Sequence, residues 1–99
     1  MIANTPKPPY IAAIFTSIRT NVEEGYDKMD ELTFKEIETI NGYLGCEAYR
    51  DESGFGVIVS YWKENTLHKK AQALGREKWY KNYKLRICLV ERDYGFIKD

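Results

Sequence analysis

Apolar residues first gather over residues 10–20, YIAAIFTSIRT, a run rich in β-branched and aromatic side chains that closes on polar ones, as a strand does. Both alternations are apolar there: Ala13 and Phe15 on one side, Ala12, Ile14 and Ile18 on the other. A strand with two apolar faces is expected at the centre of a sheet, or in a sheet covered on both sides. From residue 24 to 40 the period lengthens. Tyr26, Met29, Thr33, Ile37 and Ile40 recur at three- and four-residue steps with acids between them, which predicts an amphipathic helix. Glu23 and Glu24 suit its start, Asn41 and Gly42 its end. Alternation then resumes over YLGCEAYR (43–50) and FGVIVSYW (55–62), which flank DESG and so predict a hairpin. Asn65 is placed to cap a second helix with Leu67, Ala71 and Leu74 on one face, closed by Gly75. REKWYKNY (76–83) reads as an irregular or helical turn, and KLRICLVERDY (84–94) as the last strand.

The element order is therefore βαββαβ, the split ferredoxin-like arrangement of an α+β protein. One domain, residues 1–99, is expected, with residues 1–9 and their three prolines as an extended arm. Four antiparallel strands with both helices on one face leave the other face bare. Ile14, and Val57 or Ile58, would then meet water unless something covers them. Composition points the same way: eight Tyr, four Phe and two Trp are a large apolar supply for a chain that buries only about 60–70% of its unfolded surface. Two sheets paired face to face in a homodimer would cover the excess.

Net charge is zero but unevenly spread. Residues 21–52 carry a net charge of −7 and residues 63–86 one of +6. The split suits steering of an anionic ligand, pairing of subunits, or simply two solvated helix faces. The longest apolar run, near YIAAIF, falls far short of a membrane span, and the first residues lack a signal-peptide pattern. With Cys46 and Cys88 read as reduced thiols on strands, a cytoplasmic protein is expected. One His gives no metal-ligand spacing, and neither a nucleophile–base pattern nor a phosphate-cradling glycine loop occurs. SGFGVIVS on the third strand keeps Gly54, Phe55, Gly56 and Ile58 of the pattern by which one RNA-binding module stacks bases. Ser53, Val57 and Ser60, however, replace its basic and aromatic positions, so nucleic-acid binding is set aside.

IFTSIRT, GYLGCEAYRDESGFGVIVSYW and GREKWYKNYKLRICLVERDYGF together resemble the antibiotic biosynthesis monooxygenase (ABM) domain family. Singly these motifs are weak; in combination they are specific. The resemblance implies a dimer whose ferredoxin-like sheets form a joint α+β barrel. It departs in one place: SYWK runs almost directly into ENTLHKKAQ, where the family usually has a longer stretch and often a second Trp.

Family activities are mixed. Some members oxidise polyphenols or anthrones with O2 and no cofactor, some bind and degrade haem, and others have no assigned activity. The haem-degrading set is an Asn on the first strand, a Trp on the third and a His on the second helix. Here these positions are Phe15, Trp62 and His68, so the Asn is missing. Cofactor-free oxygenation of a small aromatic needs a pocket for a planar phenol, a base and a donor for the anion. Alternation puts Ile58, Ser60 and Trp62 on one strand face, which by resemblance faces the helices and the pocket. His68 is the expected base, with Trp62 beside it as the second catalytic candidate. Phe15, Ile58, Ser60, Tyr83 and Arg19 are the expected substrate-binding residues, with Tyr80 and Arg86 as further anion partners. Plainer readings stand beside these. Trp62 suits a core or interface plug, and His68, next to Lys69 and Lys70, a solvated helix residue. Trp79, Tyr80 and Tyr83 suit packing under the last loop or across the dimer, and Arg50, Arg86 and Arg92 pairing with Glu47 and Glu91 or with the partner subunit. A dimer that binds a small ligand without catalysis stays open as well.

Overall fold

The structure, a computed structural model, describes residues 2–63 and 79–98. The expected second helix, with His68, lies outside the described residues, as does the side chain of Met29. Four strands form one antiparallel sheet: β1 (Tyr10–Arg19), β2 (Tyr43–Arg50), β3 (Phe55–Trp62) and β4 (Tyr80–Val90), in the order β2-β3-β1-β4. Helix α1 (Tyr26–Glu38) joins β1 to β2. These two strands run parallel on either side of β3, while β3 and β4 run parallel on either side of β1. Among the described residues no helix is long and apolar enough to cross a membrane.

β1 is central, as its two apolar faces predict, but the faces fare differently. Ala13, Phe15 and Ser17 on the side of α1 are all buried. On the other side Tyr10 and Ala12 are buried, Ile14 is half-buried and Ile18 is exposed. Register assigns Val57 to this open face, opposite Thr16, and Ile58 to the helix face, opposite Phe15.

α1 starts later than its period suggests, because Gly25 at φ 80 turns the chain into it. It ends at Glu38, before Asn41 and Gly42; Thr39 and Ile40 donate to Glu36 and Ile37, tightening the last turn to three-residue spacing. The hairpin turn lies at DESG as expected. The Asp51 carboxylate accepts from the Ser53 amide at 2.9 Å, the Ser53 hydroxyl at 2.6 Å and the Phe55 amide at 3.2 Å.

The last strand is where pattern and structure part most. β4 spans Tyr80–Val90, so residues 80–83 are strand rather than turn, and residues 91–94 have left the sheet. A bulge between Ile18 and Arg19 lets β4 begin early, pairing Arg19 with Tyr80. Its end is fixed by β1: Tyr10 pairs with Val90, and the preceding Pro8 and Pro9 have no N–H to extend the ladder.

Candidate functional site

On the helix face, antiparallel register aligns the strands into rows of neighbouring side chains. The first row is Tyr43, Trp62, Ile11 and Leu89; the second Cys46, Ser60, Ala13 and Ile87; the third Ala48, Ile58, Phe15 and Leu85. Large rings thus stand in the first and third rows, and three small side chains, Cys46, Ser60 and Ala13, floor the second between them, with Ile87 at its β4 edge. Trp62 and Phe15 are separated by about 13 Å along the strand direction, four residues at ~3.3 Å each.

Trp62, 1% exposed, packs edge-on against Tyr43 with ring centroids 5.2 Å apart. Its indole N–H donates to the Ser60 hydroxyl at 2.9 Å. Burial pushes the Tyr43 hydroxyl above the ordinary phenol range, and a hydrogen bond with Cys46 adds to the rise. Tyr43 is therefore a neutral phenol near neutral pH, able to donate. No carboxylate or imidazole belongs to these three rows, so a base must come from elsewhere in the chain.

Phe15 and Tyr83 are also brought together, with centroids 5.3 Å apart, and Tyr80 packs on Phe15 at 5.4 Å. Arg19 is placed differently. Eight residues separate it from the row of Trp62, about 26 Å along β1. Its guanidinium stacks on the Tyr26 ring at 3.3 Å and donates to the backbone oxygens of Trp79 and Val22 at 3.3 and 2.9 Å. Arg19 braces the chain around the start of α1. Of the predicted site residues, then, Trp62, Ser60, Ile58 and Phe15 share one strip, Tyr83 borders it, and Arg19 stands apart.

At the Arg19 end lies a polar cluster that the sequence did not single out. Arg50 donates to the hydroxyl of buried Ser17 at 2.7 Å and to the Gly54 carbonyl. It faces the Tyr80 ring at 5.7 Å. Asp30 on α1 has its carboxyl pushed up by burial, offset in part by Arg50. Burial pushes the Tyr80 hydroxyl up as well, with a hydrogen bond to Tyr26. The expected pairing of Arg50 with Glu47 is not formed, because three residues of alternation put them on opposite faces.

Glu47 lies on the open face. It accepts from the Tyr61 hydroxyl at 2.7 Å and from the Ala3 amide at 2.8 Å. The Tyr61 hydrogen bond first, then the Ala3 amide, hold the Glu47 carboxyl below the usual range. Burial and that same Glu47 contact push the Tyr61 hydroxyl up to about 12. Residues 2–9 are thereby tied to one end of the open face, where Thr5 donates to the Tyr10 hydroxyl and Tyr10 to Asp93.

Among the described residues the haem-degrading set is incomplete. Phe15, standing where the haem-degrading set has an Asn, is a buried ring between Tyr80 and Tyr83 and offers no hydrogen bond to a ligand.

Fold and site together define an α+β protein with one four-stranded antiparallel sheet, compatible with a ferredoxin-like arrangement, and an aromatic-walled strip on its helix face. The chain belongs to the family of the uncharacterized protein YqjZ of Bacillus subtilis (strain 168), to which it is 34% identical over 104 residues, 96% of this chain and 91% of that one. It is also similar in fold to the crystal structure of PA3566 from Pseudomonas aeruginosa, with a TM-score of 0.64 and 15% identity, covering 90% of this chain and 99% of that one. No family model matches the chain.

Proposed function

We propose that this chain is an ABM-type protein, a homodimer of ferredoxin-like βαββαβ subunits, that binds a small aromatic molecule and oxidises it with O2 without a cofactor. The observation that carries the reading is the row of small side chains, Cys46, Ser60 and Ala13, between rows holding Trp62 and Tyr43 on one side and Phe15 on the other. A flat ring laid over the small row meets aromatic edges at both ends. The Ser60 hydroxyl in that row and the Tyr43 hydroxyl in the row beside it are the donors offered to a phenolate or enolate oxygen.

Parallel strands that flank a third need a crossover, usually a helix. α1 is that crossover between β1 and β2, and the βαββαβ reading gives residues 65–75 the same task between β3 and β4. It makes His68 the base. Removing a proton from an anthrone-type CH2 leaves a carbanion that O2 can oxidise. The CH2 becomes a carbonyl, and the second oxygen atom leaves as water, so the substrate supplies all the electrons.

The dimer reading rests on the open face. Val57, Val59 and Ile14 form its half-buried apolar middle. Glu47 lies on the β2 side, and Lys84 and Arg86 on the β4 side, opposite Thr16 and Ile14. A second copy offers both the apolar middle and the opposite charges.

Two titrations under nitrogen test the ligand. An anthrone is expected to quench tryptophan fluorescence saturably, and haem to give no saturable Soret band. A saturable Soret band that decays when an electron donor and air are added would replace this reading with haem degradation.

A further inference from the structure

After Val90 the chain runs past the end of the sheet, and residues 91–98 have no regular structure. This segment carries three large apolar side chains almost wholly in water: Tyr94 at 94%, Phe96 at 86% and Ile97 at 90% exposure. Single exposed apolar residues need no explanation, but three within four positions do. Among the described residues the sheet gives them no seat, because β1 begins at Tyr10 and offers nothing beyond Val90 to pair with. The root of the segment is nevertheless fixed. Tyr10, an open-face residue, donates to the Asp93 carboxylate, so the chain sets out from the open-face side of the sheet. On that face Tyr49 is 77% exposed, Phe55 is 46% exposed, and Ile14 and Val57 are half-buried.

We propose that residues 91–98 are a clasp, and that Tyr94, Phe96 and Ile97 pack on the open sheet face of a second copy of this chain. The inference rests on the dimer reading above and adds the segment that completes the interface. Area supports it. A stable interface buries roughly 800 Å² per partner, and an aromatic side chain buries about 150–250 Å². Tyr94 and Phe96 alone would supply a third or more of what each subunit needs. The clasp also continues from Asp93, a point already held on the face being covered.

Sedimentation velocity across nanomolar to micromolar concentrations separates the cases. Three chains are compared: the full chain, a chain ending at Asp93, and the full-length triple variant Tyr94→Ser, Phe96→Ser, Ile97→Ser. Far-UV circular dichroism checks that each is folded, and the triple variant serves if the shortened chain is not. The full chain is expected to sediment as a dimer, with the altered chains dissociating at least about tenfold more readily. A dimeric full chain with equally dimeric variants overturns the clasp and leaves the dimer standing. A full chain monomeric at micromolar concentration overturns both.

Discussion

At the hairpin end of the sheet the Arg50 guanidinium serves the Ser17 hydroxyl, the Gly54 carbonyl and, at 3.5 Å, the Ser17 carbonyl. Ser17 is 2% exposed, so its hydroxyl has no water to turn to. A lysine at position 50 has neither the planar fork nor the reach to serve all three. Arg50→Lys is therefore expected to lower stability by about 1–3 kcal/mol, the cost of stranding a buried polar group, read from the urea midpoint at unchanged slope. Glu47 gives a pH signature. Its carboxyl is held below the usual range, so its contribution is fully present above the unfolded value, about 4.3, and is lost as pH falls through the lower folded value. Glu47→Gln should lower the melting temperature at pH 7 by the equivalent of about 1 kcal/mol. The gap to the parent chain should narrow as pH falls below the unfolded value, about 4.3. A gap that stays constant with pH would show that the carboxylate does not hold the arm in its charged form.

At the scale of elements, two bulges decide what the helix face contains. Alternation back from Cys46 puts Tyr43 on the open face. The irregularity between Tyr43 and Gly45, where Gly45 takes φ 140, instead sets Tyr43 opposite Trp62. Alternation back from Tyr83 likewise sends Tyr80 to the open face, and the bulge beside Arg19 returns it to the helix face against Phe15 and Tyr26. Each bulge thus brings one tyrosine under the helix layer. This is why the shared face of Ile58, Ser60, Trp62 and Phe15 was legible from period-two counting, while the places of Tyr43 and Tyr80 on it were not. A one-residue slip in register has no signature in composition. The early start of β4 was hidden similarly: Lys81, Asn82 and Lys84 are polar because this edge strand is exposed. Gly56 tests the packing of the hairpin. A Cβ there would stand 2.7 Å from the Arg50 side chain, well inside contact distance. Gly56→Ala is expected to push the guanidinium off Ser17 and to destabilise by an amount similar to Arg50→Lys. The double variant should cost less than the two together, because both act through one contact.

At the scale of the whole molecule, among the described residues α1 lies on one side of the sheet and no helix lies on the other, where Tyr49 and Phe55 stand exposed. Element order and hydrophobic excess already predicted a bare face, and register shows which residues lie on it. The catalytic role of His68 belongs to the proposal rather than to the described residues, so the decisive test must read chemistry. That measurement is oxygen uptake by the purified chain under air against a panel of anthrones and quinols, with His68→Ala alongside. The account predicts one O2 consumed per anthrone converted, uptake abolished in His68→Ala, and a melting temperature unchanged by that substitution. No uptake above the uncatalysed rate with any member of the panel, from a folded chain that binds the same compounds, would contradict the oxygenase and leave a ligand-binding protein.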